Sequence, residues 1–417
     1  MSDLPEGLAP DTLAVHAGRA DLRRLGVHAP PLDLSTTYPF ADLDGAVASL
    51  DAMMEGRDPT AGGPIYSRLH APTVARFERA LAAMEGTESA VAFASGMAAV
   101  TAAVLAARSP EASGDGASGE GGDARGRNHV VGVKPIYGTT DKLLSSGVLG
   151  LDVTWTDAAG VAAAIREDTC LVCVETPVNP TLNLVDLEDI VRQAASGAER
   201  AGARGPVPVM CDSTFATPVL QRPAAHGVDL VVHSGTKFIG GHGDVLAGVV
   251  ACSGAWAARL KSVRILTGAN LHPLAAYLLH RGLPTLPIRV RRAQETATAL
   301  ASRLSGHGAV TAVYHPSVPG RDPLGLVGRQ MDGPGPMLSF ELAGGFAAAD
   351  RLMQALRVIT PAVSLGSTDT LIQHPAGLTQ RVASGSAGAI TPGLVRLAVG
   401  LEDADDLWRD LLRGMEG

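Results

Sequence analysis

The chain is short of cysteine and of charge, and it has no excess of positive residues; each shortage excludes something. Four cysteines in 417 residues cannot form a disulfide scaffold, so a reducing, cytoplasmic setting is expected. Charged residues make up only 18% of the chain, which points to surface buried between subunits. With 34 Lys+Arg against 42 Asp+Glu and a net charge of −8, there is no basic field to attract nucleic acid. The opening Met1–Glu6 has neither the basic nor the apolar region of a secretory signal. The longest membrane-like stretch, Val91 to Ala107, is broken by Ser95, Gly96 and Thr101 and falls short of the ~20 apolar residues a span requires. A buried helix is the better reading. No Gly-Lys pair and no His-Glu-x-x-His occurs, and His242 and His272 stand among Gly or Pro; neither a Walker phosphate loop nor a metal site is expected.

At roughly 100–200 residues per domain, the length predicts two or three structural units with an ample core. Residues 1–63, punctuated by Pro5, Pro10, Pro30, Pro31, Pro39 and Pro59, read as an irregular arm lying on a neighbouring subunit. Apolar spacing over Thr73–Met84 predicts a helix. Val91–Ala94 then reads as a buried strand, with Ser95-Gly96-Met97 opening the next helix. Further short apolar runs end at Val133, Trp155, Glu175, Asp212, His233 and Ala251. Alternation of such runs with helical or loop segments predicts an α/β domain over residues 64–266, with a largely parallel sheet covered on both faces. The Gly-rich segment 111–128 reads as a surface insertion; its Gly114–Gly119 match to G-x-G-x-x-G lacks the flanking strand and helix that a dinucleotide site needs. After Thr267 a long Arg-rich helical stretch, Tyr277–Leu304, precedes Met337–Leu342 and two more strand-like pieces, predicting a smaller α+β domain over 267–417.

Ligands of such sheets bind at the carboxyl ends of the strands. Three runs end there in groups expensive to bury: Glu175, Asp212 and His233-Ser234. The last continues through Gly235-Thr236-Lys237 into a Gly cluster. Without a Walker pattern, Lys237 reads either as an ordinary loop lysine or as a Schiff-base lysine for a phosphorylated carbonyl cofactor. In the second case Ser234 and Thr236 hold the phosphate, and Asp212 pairs with a pyridinium nitrogen. Arg396 lies in an apolar strand, Leu394–Val399, where an unpaired cation is costly; that favours a ligand-binding role. Cys170-Leu171-Val172-Cys173 fits Cys-x-x-Cys, but positions three apart along a regular strand face opposite sides.

Cys211–Pro218 followed by His233–Asp244 closely resembles the pyridoxal-phosphate (PLP) enzymes of cysteine and methionine metabolism, a family that includes cystathionine γ-synthase, cystathionine γ-lyase and methionine γ-lyase. Further matching motifs run through the chain: Leu13–Gly18, Ser35–Tyr38, Tyr66–Thr73, Ser95–Ala99, Tyr137–Thr140, Glu175–Pro180, Arg281–Leu286, Val363–Gly366 and Arg396–Glu402. The resemblance implies a fold-type I, aspartate aminotransferase-like architecture with PLP as cofactor. It implies that Lys237 joins the cofactor and moves protons, while Asp212 keeps the pyridine nitrogen protonated. Gly96 and Met97 would bind the phosphate through backbone N–H groups, with Ser95, Thr214, Ser234 and Thr236 in the same cofactor set. Tyr66 and Arg68 would reach the phosphate of the neighbouring subunit in an obligatory dimer, with a homotetramer as the expected assembly. Tyr137 would stack on the ring and assist the leaving group, Asn179 would touch the cofactor's 3-oxygen, and Arg396 would clamp the substrate carboxylate. Ser364 would position backbone near that carboxylate and Lys237.

Within the family, Ala362–Leu371 is most similar to methionine γ-lyases. Val363 stands where cystathionine enzymes carry Glu, suiting an uncharged thioether. Thr139 departs from the Cys usual in methionine γ-lyases, Arg264 from an acidic residue, Ala71-Pro72-Thr73 from Asn-Pro-Thr, and Thr379-Gln380 from Thr-His. The reading is a carbon–sulfur lyase performing γ-elimination on methionine or a related amino acid. Its alternatives are cystathionine cleavage or γ-replacement on an activated homoserine ester, and, from another class, a non-catalytic PLP-binding protein.

Overall fold

The structure is a computed structural model that describes residues 4–5, 7–108, 127–378 and 390–416. Most of the Gly-rich insertion, with its Gly114–Gly119 motif, and Thr379-Gln380 lie outside the described residues.

Seven strands form the larger sheet: β1 (Ser89–Phe93), β2 (His129–Val133), β3 (Asp152–Thr156), β4 (Thr169–Glu175), β5 (Val209–Asp212), β6 (Leu230–His233) and β7 (Gly248–Cys252). Their order is β1-β7-β6-β5-β4-β2-β3. Strands β3 to β6 pair in parallel through β2, and only β7 runs antiparallel to its neighbours β1 and β6. The near-continuous apolar runs are explained by helices on both faces. On one side Phe77, Leu81 and Met84 of helix Pro72–Glu85 pack with Val172, Val174 and Val231. On the other, Val100, Ala103 and Val104 of helix Gly96–Arg108 pack with Leu171, Met210 and Val232.

Five further strands build the second sheet, β8 (Val310–Tyr314), β9 (Met337–Leu342), β10 (Thr360–Pro361), β11 (Leu371–Gln373) and β12 (Leu394–Ala398), in the order β10-β11-β12-β9-β8. The helical stretch expected over Tyr277–Leu304 is broken. Helix Pro273–Gly282 ends in a turn, Leu283–Thr285, that contains Pro284, and helix Leu286–Ser305 follows, because a proline interrupts the i→i−4 ladder. Leu286 and Val290 of that helix belong to the first core, while Ala297, Leu300 and Leu304 belong to the second.

Two other expectations need correction. The N-terminal arm is not irregular throughout: Leu43–Met54 is a 12-residue helix whose first turn is capped by Asp42, which accepts from the Gly45 N–H at 2.7 Å. The prolines flank it rather than interrupt it. In addition, Cys170 and Cys173 do not separate to opposite faces. Pairing of β2 with β4 slips between His129–Thr169 and Val130–Leu171, so Cys170 is the extra residue of a bulge. Both cysteines pack into the cluster around helix Gly96–Arg108. They are free thiols, pushed up in pKa by burial, and their apolar setting keeps them inert.

Candidate active site

The sheet delivers its polar residues to one edge. Strands β2, β4, β5 and β6 share a direction, and β1, antiparallel to β7, runs with them. Their carboxyl ends therefore lie together, and the segments leaving them supply Gly96, Tyr137, Glu175, Asp212 and Lys237. These residues line a cavity of about 230 Å³, shared with Ser95, Met97, Asn179, Thr214, Ser234, Thr236, Ser364 and Arg396.

At one end the cavity is built to receive an anion. Ser95 caps helix Gly96–Arg108, its Oγ accepting from the Ala98 N–H at 3.1 Å and its carbonyl from the Ala99 N–H at 3.0 Å. The first-turn N–H groups of Gly96 and Met97 have no acceptor among the described residues, and a helix start carries positive potential. A Cβ at position 96 would lie 3.1 Å from Ser234 Cβ, so only glycine lets the helix start approach that serine freely. Ser234 donates its backbone N–H to Thr214 Oγ1 at 2.9 Å and leaves its hydroxyl uncommitted among the described residues. Thr236 differs from its expected part: its hydroxyl already bridges Ala247, accepting from the N–H at 2.9 Å and donating to the carbonyl at 3.2 Å.

Across the cavity, Asp212 Oδ1 accepts from the Thr214 N–H at 3.0 Å and from its hydroxyl at 2.5 Å. Oδ2 has no hydrogen bond among the described residues, leaving one carboxylate oxygen for a ring N–H. Burial pushes both Asp212 and its register neighbour Glu175 up in pKa, and the Asp212 carboxylate adds to the rise at Glu175.

Lys237 Nζ donates to Ser364 Oγ at 2.6 Å. Burial, then the neighbouring Arg396, pull its ammonium down to about 8, with Asp212 opposing. The Lys237 peptide is gripped from behind, because a Cβ on Gly366 would come within 2.4 Å of Phe238 N. Arg396, 4% exposed, enters from β12 of the second sheet. Its Nη1 donates to Asn179 Oδ1 at 2.8 Å and its Nη2 to the Ser364 carbonyl at 2.7 Å. Its Nε is buried with no partner among the described residues, and burial lowers the guanidinium to about 10. A buried cation that lines the cavity and keeps one donor unpaired among the described residues fits an anionic ligand such as a carboxylate.

The donor set suits a phosphorylated pyridine aldehyde: a helix start and a free hydroxyl at one end, a half-committed carboxylate for a ring nitrogen, and a partly neutral amine beside them. The chain matches the family model of the Cys/Met metabolism PLP-dependent enzymes over residues 11–416. It belongs to that family, and its cofactor is pyridoxal phosphate. It is 50% identical over 410 residues to the L-methionine gamma-lyase of Brevibacterium aurantiacum, covering 98% of this chain and 95% of the relative. Against the enzyme of that name from Streptomyces avermitilis it is 51% identical, covering 98% and 89%. Among solved structures it superposes on the cystathione gamma lyase CalE6 of Micromonospora echinospora with a TM-score of 0.82 at 34% identity, covering 99% of this chain and 100% of that one. The cystathionine gamma synthase of Xanthomonas oryzae gives 0.83 at 31%, covering 99% and 98%.

Tyr66 and Arg68 do not line this chain's cavity. Arg68 stands over the Tyr66 ring at 5.5 Å and donates to the Ile265 carbonyl at 2.9 Å. Val363 is 52% exposed and does not line the cavity either. Arg264 faces the core, pairing with Glu78 at 2.6 Å and with the Ala92 carbonyl at 2.9 Å. Residues that reading the sequence missed are Val100, Thr140, Pro177, Phe215, Leu246 and Leu365, all in the lining. Leu246 is 65% exposed; beside the doubly bonded Ala247, an apolar residue in a Gly-rich loop was the available signal.

Proposed function

We propose that this chain is a PLP-dependent carbon–sulfur lyase that carries out γ-elimination on L-methionine or a related sulfur amino acid, consuming one water and releasing 2-oxobutyrate, ammonia and a thiol. The observation that carries the reading is the convergence of Lys237 and Arg396 on one cavity through Ser364, with Arg396 lining it as a buried cation suited to a substrate carboxylate. Identity of 50% to enzymes named for this activity supports the choice of reaction.

The cofactor, when bound, supplies an electron-withdrawing ring that stabilises negative charge on the substrate carbon. The chain's residues do the remaining work. Gly96, Met97, Ser95 and Ser234 would hold the phosphate, and Thr236 would fix the loop beside it. Asp212, held by Thr214, would hold a proton at the ring nitrogen. Asn179, on the ring's 3-oxygen side, and Tyr137 on its face would orient it. Arg396 would fix the substrate carboxylate so that its α-hydrogen faces Lys237. Lys237 Nζ, whose ammonium is drawn down to about 8 by burial, would take that proton and return it further along the side chain. Tyr137 would give a proton to the departing sulfur.

The site would be completed by a second copy. Leu34, Phe40, Leu43 and Val47 of the N-terminal arm are large, apolar and exposed in the single chain, which supports an arm buried on a partner. Tyr66 and Arg68 would then reach the partner's phosphate, and two such dimers would form a tetramer. A cytoplasmic location agrees with four free cysteines. Among the described residues no helix is long and apolar enough to cross a membrane.

Incubating the purified protein with L-methionine and assaying 2-oxobutyrate and methanethiol tests the reaction. Release of both without an added thiol is the expected result. Turnover of cystathionine or of an acylated homoserine alone would replace this reading with cleavage or replacement on those substrates.

A further inference from the structure

One buried carboxylate ties together groups that the proposed reaction assigns to different tasks. Glu175 ends β4 and is 5% exposed. Its Oε2 accepts the Tyr137 N–H at 2.6 Å, and its Oε1 accepts the Asn179 N–H at 2.8 Å. The two oxygens of a rigid carboxylate thereby fix the start of helix Gly138–Ser145, where Tyr137 stands, relative to the loop after β4. From Asn179 the chain of bonds continues through Arg396 Nη1 at 2.8 Å. It passes from Arg396 Nη2 to the Ser364 carbonyl at 2.7 Å, and ends with Lys237 Nζ on Ser364 Oγ at 2.6 Å.

Neither oxygen of Glu175 can be dispensed with. Glutamine offers one acceptor to two donors and turns an NH₂ toward the other N–H; aspartate is one methylene short. Either change leaves a buried backbone donor unsatisfied, which costs far more than an exposed bond. A strand end that needed only to be filled would hold an apolar residue more cheaply.

We propose that Glu175 is a positioning residue that sets the spacing between the Tyr137 ring and the Asn179–Arg396 pair, so that binding of the substrate carboxylate and placement of the phenol are coupled. This rests on the reading above, in which Arg396 takes the carboxylate and Tyr137 faces the cofactor ring.

The test compares cofactor-saturated Glu175→Gln with the unaltered enzyme by melting temperature, by visible circular dichroism of the bound cofactor, and by kcat and KM on whichever amino acid the unaltered enzyme converts. The loss of one buried hydrogen bond predicts KM raised about tenfold, kcat lowered about tenfold, and a changed dichroism band at full cofactor occupancy. A lower melting temperature with KM and dichroism unchanged would make Glu175 merely structural and overturn the proposal. Asn179→Ala keeps Glu175 and cuts the next link. It should reproduce the KM rise, and the double variant should be little worse than either single one. An unchanged KM in Asn179→Ala, or fully multiplicative losses in the double variant, would also overturn it, even where Glu175→Gln fails to fold. Should the unaltered enzyme convert no amino acid, the proposed reaction fails instead, while the dichroism comparison still decides whether Glu175 sets the ring's surroundings.

Discussion

Ser364 accepts a hydrogen bond from Lys237 at 2.6 Å while holding a backbone φ of +86°. That region is strained for a residue with a Cβ. The loop is held by the Arg396 bond to the Ser364 carbonyl and by the close approach of Gly366 to the Lys237 peptide. The hydroxyl and the strain can be separated. Ser364→Ala loses the bond and keeps the strain, and kcat/KM should fall about tenfold. Ser364→Gly loses both, and chemical denaturation should show it more stable than the alanine variant by about 1 kcal/mol. Equal stability of the two would remove strain from the account.

The amine of Lys237 sets a pH dependence. Its pKa is drawn to about 8 from 10.5, first by burial and then by Arg396. Since the neutral amine attacks an aldehyde, reloading of cofactor-stripped protein should accelerate as pH rises through about 8 and level off above it. Arg396→Met removes the second cause and should move that midpoint upward. The stability sign follows: the stripped folded protein binds its proton more weakly than the unfolded chain, so it gains stability as pH rises from about 8 to 10.5. Stopped-flow absorbance and pH-resolved melting measure the two effects, and a midpoint near 10.5 in the unaltered protein would contradict both.

Replacing Arg396 by lysine keeps a charge but loses the planar fork that spans Asn179 and the Ser364 carbonyl. KM for the amino acid should rise about a hundredfold with the cofactor still bound. Steady-state kinetics beside cofactor absorbance separates this from loss of the cofactor.

How far the sequence alone carried the reading varies by residue. Glu175, Asp212 and Lys237 were legible because each interrupts an apolar run where burial is expensive, and Arg396 for the same reason inside β12. Register and capping were not. The bulge at Cys170 depends on how β2 and β4 pair, and the Leu43–Met54 helix depends on one Asp42 cap among many prolines. The engagement of Thr236 with Ala247 arises where β7 folds back beside β6. Phe215 and Leu246 reach the cavity through tertiary packing that no local pattern announces.

A site shared between subunits, as proposed for Tyr66 and Arg68, predicts rescue between them. Arg68→Ala and Lys237→Ala homo-oligomers should each be inactive. Equal mixtures, unfolded and refolded together, should recover about a quarter of normal activity, because half the dimers carry one intact site of two. Recovery absent from such mixtures would place Arg68 outside the neighbouring subunit's site.

The chain has four lysines, at positions 134, 142, 237 and 261, which makes one chemical test decisive. Loaded with cofactor, reduced with borohydride to fix it covalently, and digested, the protein should carry the added mass on the Lys237 peptide alone. Added mass at Lys134, Lys142 or Lys261, or none anywhere in protein that turns over substrate, would contradict the assignment on which the proposed chemistry stands.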